Sequence, residues 1–130
     1  MSTEEIAALL TLYFDNMAAM NAEGWFGIFA EDAVIHDPVG DPPRLVHKDA
    51  QHFFKILSNF FQKIELSQDD TFFVKQGAAV KWTMQVVAKN DRHTTAEGIS
   101  IFEINDAGKI SKVSSYWDEA ALMAKLKQAS

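Results

Sequence analysis

Four consecutive segments, Ile64 to Val74, Ala78 to Ala88, Thr94 to Ile104 and Ile110 to Trp117, show stretches of alternation and many β-branched or aromatic residues. The turn sequences KQG, KNDRH and NDAGK separate them. Strand-forming runs joined by short turns of this kind pair antiparallel as a meander. Most of the preceding chain has the helical period instead. Ser2 or Thr3 followed by Glu4 and Glu5 has the chemistry of a helix start, and Ile6, Leu9, Leu10, Tyr13, Met17 and Met20 then fall three and four apart. This predicts a first helix to about Met20. After the break at Asn21 to Gly24, the run WFGIFAED predicts a short second helix, and Ala33 to His36 a brief strand. Phe53, Phe54, Leu57, Phe60 and Phe61 predict a third helix over Lys48 to Phe61, and Asp118 to Lys127 a closing one.

Helices gathered early and strands gathered late define the α+β class, with a curved antiparallel sheet wrapped around the N-terminal helices. The 130 residues suffice for a single domain, 1–130, with one core. Five strands at this length do not close a barrel, so the concave face is either filled by helix side chains or left partly open as a pocket.

Strand alternation sorts the side chains. Gly98, Ser100 and Phe102 share one face of their strand, with Glu97, Ile99 and Ile101 on the other. Val80, Trp82, Met84 and Val86 share a face, as do Val113, Ser115 and Trp117. The lining so inferred is aromatic, aliphatic and hydroxylic. Such a stripe is most simply plain core. Tyr13 on the buried helix stripe and Ser100 and Ser115 on the inner strand face add polar groups that need partners, which is also what a small-molecule site requires.

A carboxylate stands at the end of the first short strand, in VIHDPVGDPP. Asp37 either opens a surface turn, where Asp before Pro is common, or is a reactive acid aimed into a cavity. The decapeptide leaves both open.

Other chemistries find no support. A net charge of −6 without clustered Lys and Arg argues against nucleic acid as a partner. The chain has no cysteine, and His36, His47, His52 and His93 show no metal-ligand spacing. Neither a cofactor motif nor a hydrolase triad is visible. No signal peptide or membrane-length apolar run is visible either, so the expectation is a cytoplasmic protein without a membrane partner.

The segments LYFDNMAAMNAEG, FAEDAVIHDPVGDPP, FEINDAGKIS and SYWDEAAL extend along nearly the whole chain. Together they resemble the ketosteroid isomerases, within the nuclear transport factor 2-like superfamily and its SnoaL-like members. The resemblance implies a cone-shaped roll, also called cystatin-like, and a cofactor-independent enzyme for a small hydrophobic molecule. It puts the family's general base on Asp37, its oxyanion-donating tyrosine on Tyr13, and a tryptophan beside the base on Trp117. Ser100 stands where the family carries a second, protonated acid as donor, and Phe29 and Phe54 stand where some members carry pocket tyrosines. With Trp82, Met84, Phe102 and Trp117, these phenylalanines form the expected substrate-binding wall.

The implied reaction is steroid Δ-isomerase-like: Asp37 moves a proton on a carbonyl compound through an enolate held by Tyr13, with Ser100 as a non-standard second donor. Burial beside Trp117 raises the Asp37 pKa. Two alternatives are a similar pocket with lyase, cyclase or epoxide-opening chemistry, and a noncatalytic binding or association module. The family resemblance also implies a homodimer through the outer sheet face, where Val74, Ile99, Ile101 and Tyr116 supply apolar surface.

Overall fold

A computed structural model of the chain describes residues 1–127. Helix α1 (Thr3–Ala18) starts at a reciprocal cap, in which the Ser2 side chain accepts from the Glu5 backbone and the Glu5 carboxylate accepts from that of Ser2. Two donors with no partner inside the helix are thereby satisfied. The apolar stripe buries Ile6, Leu10, Tyr13 and Phe14. The helix ends at Ala18, short of the expected Met20, because Met20 itself turns to φ 55°. Asn21 then caps the short α2 (Ala22–Phe26) through a bond from Gly24.

The second helix is shorter than the sequence predicts. Only the first two residues of WFGIFAED are helical, and the chain extends into β1 (Phe29–His36). Phe29, Ala30, Ala33 and Ile35 are buried there, but a register shift between Phe29 and Val34 interrupts the period of two that would have marked a strand. A two-residue strand, β2 (Arg44–Leu45), pairs with β1 and is too short to show any period. Helix α3 (Val46–Phe60) starts two residues before the expected Lys48 and passes directly into β3 (Phe61–Val74).

The remaining strands, β4 (Gly77–Ala88), β5 (His93–Ile104) and β6 (Ile110–Tyr116), form with β3 the antiparallel meander expected from the turns. Helix α4 (Glu119–Lys127) follows and buries Leu122 and Leu126. The sheet order is β2-β1-β6-β5-β4-β3, with β1 parallel to β6. The result is α+β, a curled and unclosed six-stranded sheet whose concave face receives the helices. Helix α1 lies against β3, α3 against β1, and α4 against β5.

Burial on β5 follows the predicted alternation, with Gly98, Ser100, Phe102 and Ile104 inward. The aromatic core centres on Trp25, whose ring lies 4.5 Å from Phe29 and 5.0 Å from Phe54. Tyr13 packs edge-on to Phe102 at 4.9 Å. Gly98 is required by a close approach: a Cβ there would stand 2.5 Å from the Trp82 ring and 2.8 Å from the Trp117 Cβ.

Candidate active site

The concave face is not fully packed. A cavity of about 260 Å³ remains between the sheet and helices α1, α3 and α4. Its apolar wall includes Phe14 and Met17 from α1, Leu57 from α3, Ile64 and Leu66 from β3, and Leu122 and Met123 from α4. Tyr13, Asp37, Ser100, Ser115 and Trp117, all singled out from the sequence, line the same space.

Asp37 is half-buried at the end of β1. Trp117, just past β6, donates from its indole Nε1 to Asp37 Oδ1 at 2.6 Å. Parallel pairing of β1 with β6, which sets His36 beside Ser114, brings the two together. Loss of water around the carboxylate pushes the Asp37 pKa up; the Trp117 hydrogen bond and the positive charge of Arg44 oppose this, and the charge of Asp41 adds to it. The chain does turn after Asp37, where Asp41 N donates to Pro38 O, and the carboxylate also lines the cavity.

Tyr13 is 2% exposed. Burial drives its phenol well above the ordinary range, the negative charge of Asp37 pushes it further, and the nearby Ser115 hydroxyl acts in the opposite direction. The phenol therefore stays protonated, as a donor, across the physiological range. Ser100 and Ser115 are directly paired across β5 and β6, with Oγ atoms 2.7 Å apart, and Trp82 Nε1 donates to Ser100 Oγ at 2.8 Å.

Of the wall residues expected from the sequence, Trp82, Met84 and Trp117 line the cavity together with Tyr13, Asp37 and Ser100. Phe29, Phe54 and Phe102 do not. They lie behind the lining, where Phe29 and Phe54 pack on Trp25, and Phe102 on Tyr13 and Phe14. The physical reason is that α1 and α2 fill that end of the cone with rings, leaving the open volume toward α3 and α4.

Two charged groups escaped sequence reasoning. Arg44 on β2 is the one cationic side chain on the lining among the described residues, held over the Phe53 ring at 5.0 Å. Glu119, in the first turn of α4, also lines the cavity, and its pKa is raised by burial and then by the charges of Asp41 and Asp37, against the effect of Arg44. Neither carries a local signal, because both reach the site through pairing and packing distant in sequence. Among the described residues no group of three His, Asp or Glu side chains converges as a metal-ligand set, and no helix is long and apolar enough to cross a membrane.

The family model described as a SnoaL-like domain matches residues 10–113. The chain belongs to the SnoaL-like family. This SnoaL-like protein also matches the solved structure of SalBIII, described as an epoxide hydrolase/cyclase-like enzyme with a role in pyran ring formation in the polyether salinomycin. The match has a TM-score of 0.78 at 16% identity and covers 90% of this chain and 93% of that one. At that identity the likeness establishes the fold alone. The SnoaL-like match takes in Tyr13, Asp37 and Ser100 but ends before Trp117 and Glu119.

Proposed function

We propose that the SnoaL-like cavity is the site of an enzyme that moves a proton on a small hydrophobic carbonyl compound, as a steroid Δ-isomerase does. The Asp37 carboxylate takes a proton from the carbon next to the carbonyl. The C–H electron pair becomes the enolate double bond, and the carbonyl oxygen takes up negative charge. Tyr13 donates a hydrogen bond to that oxygen, and Asp37 returns the proton at another carbon. Trp117 holds Asp37 in place. Ser100 contributes on the oxyanion side, where a hydroxyl is a weaker donor than a protonated acid.

The observation that carries this reading is the carboxylate of Asp37, fixed at 2.6 Å by Trp117, in one apolar cavity with the protonated phenol of Tyr13. A passive apolar pocket gains nothing from a carboxylate whose desolvation costs free energy. The test is proton exchange. Incubation in deuterium oxide with a panel of hydrophobic ketones, among them a β,γ-unsaturated ketosteroid whose conjugation is followed by ultraviolet absorbance, should give exchange or isomerisation that Asp37→Asn removes. A rate equal to buffer on every ketone, or one unaffected by Asp37→Asn, sinks the proposal.

A second reading is favoured by Glu119. Two cavity carboxylates whose pKa values are both raised, with Arg44 between opposing influences on each, are suited to acid and base roles in opening an epoxide or closing a cyclic ether. The fold shared with SalBIII is consistent with it. Turnover of a hydrophobic epoxy-alcohol that requires both Asp37 and Glu119, with no ketone exchange, would select this reading over the first.

We also read a homodimer from the outer sheet face. Val74, Ile99, Ile101 and Tyr116 are all exposed there, between 37% and 70%. Sedimentation at two concentrations tests it.

A further inference from the structure

Arg44 reaches the cavity by strand pairing. It stands opposite Ile35 on β1, and residues directly opposite each other in an antiparallel pair put their side chains on the same face. Ile35 is buried, and Arg44 lines the cavity, while the next residue along β2, Leu45, is exposed. The guanidinium lies 5.0 Å over the Phe53 ring. Among the described residues it has no ion pair and no hydrogen bond to an acceptor. The carboxylate of Asp49, which borders a small space together with Arg44, is engaged elsewhere, because its Oδ2 accepts from the Leu45 backbone at 3.1 Å.

An arginine brings five N–H donors and no acceptor. In an open cavity water can meet those donors. A hydrophobic ligand that fills the cavity expels the water, and a charged donor left without an acceptor costs more than a neutral one. A ligand that fits must therefore bring an oxygen to this corner.

The charges around Arg44 decide what kind of oxygen. Asp37 and Glu119 line the same cavity, and Arg44 acts on both carboxylates, as does the negative charge of Asp41. Three acids thus share this corner with one guanidinium. A ligand carboxylate would be attracted by Arg44 and repelled by all three acids. A ligand ammonium has only donors to offer and leaves the guanidinium unmet. An uncharged carbonyl oxygen accepts from Arg44 and meets neither penalty.

We propose that Arg44 is a specificity-determining residue that binds an uncharged carbonyl oxygen of the ligand, of the ester or amide kind, in addition to the group on which the chemistry takes place. This rests on the cavity being the ligand site proposed above, and it narrows the substrates to hydrophobic compounds with a second, neutral oxygen function.

The probes are methyl 2-naphthoate, its alkene isostere 2-(but-1-en-2-yl)naphthalene, and the 2-naphthoate anion. Binding is measured by calorimetry in Tyr13→Phe protein, where the phenol cannot compete for the ester oxygen. The ester should bind about tenfold tighter than the alkene, the scale of one hydrogen bond from a charged donor. It should also bind tighter than the anion. Adding Arg44→Met, which keeps an apolar stem on Phe53, should erase the advantage of the ester over the alkene and leave alkene affinity unchanged. If Arg44→Met fails to fold, Arg44→Lys decides instead: it keeps the charge without the planar fork, and the advantage should fall about threefold.

The proposal is overturned if the ester has no advantage while Arg44 is intact, if the advantage is undiminished in the Arg44 variant, if the anion binds tighter than the ester, or if no probe binds. Absence of Asp37-dependent exchange on ketones, with the Arg44-dependent ester preference intact, would remove the proton-transfer reading alone. Exchange that persists without that preference would remove the assignment of Arg44 alone.

Discussion

The indole of Trp117 and the carboxylate of Asp37, 80 residues apart in sequence, meet at 2.6 Å where parallel β1 and β6 end side by side. The hydrogen bond stabilises the ionised carboxylate and so works against the burial that raises its pKa. Removing the donor with Trp117→Phe leaves burial less opposed. If Asp37 is the base, the acidic limb of the pH-rate profile should therefore move to higher pH. Titration of the rate in wild type and variant checks this, and a shift toward lower pH would contradict it.

Asp37 also links stability to pH. Its folded-state pKa lies above the ordinary value of 3.8, so between the two the native protein keeps a proton that the unfolded chain has released. Its contribution to stability is fully present below 3.8 and is lost as pH rises through the folded-state pKa. Asp37→Asn, which carries no charge, should therefore melt at a higher temperature than wild type near neutral pH. The gap should close in acid, below about pH 4. Calorimetric melting across that range reads the sign directly.

Tyr13→Phe keeps the ring that packs on Phe102 and Trp25 and removes only the hydroxyl. The proposed enolate would lose its main donor. Turnover should fall about 100- to 1000-fold, the usual consequence of losing one oxyanion donor. Circular dichroism should show the fold unchanged.

Gly98→Ala tests the packing of the cavity's aromatic wall. The new Cβ would overlap the Trp82 ring and the base of Trp117, whose rings are 5.8 Å apart at 70°. Overpacking of this kind costs about 1–3 kcal/mol. A urea midpoint indistinguishable from wild type would show that both indoles relax without penalty.

What the sequence disclosed was local. The period of two on β4, β5 and β6 identified the inward residues, among them Ser100, Trp82 and Met84, because alternate side chains of a strand necessarily point to opposite faces. The helical stripe carried Tyr13 inward for the analogous reason. Phe29 and Phe54 had the right character for a cavity wall, yet apolar character does not distinguish a ring that lines a space from one that fills it.

By itself, then, the sequence determined the α+β order, the meander and the inner face of most strands, since each depends on neighbours a few residues away. Tertiary structure alone decided that β1 would insert between β2 and β6 and that Arg44 and Glu119 would converge on the same cavity, and it supplied the bond by which Trp117, expected beside Asp37 from the family resemblance, holds it. Such contacts depend on how the curled sheet closes over the helices, and they leave no mark on the short-range pattern of the chain.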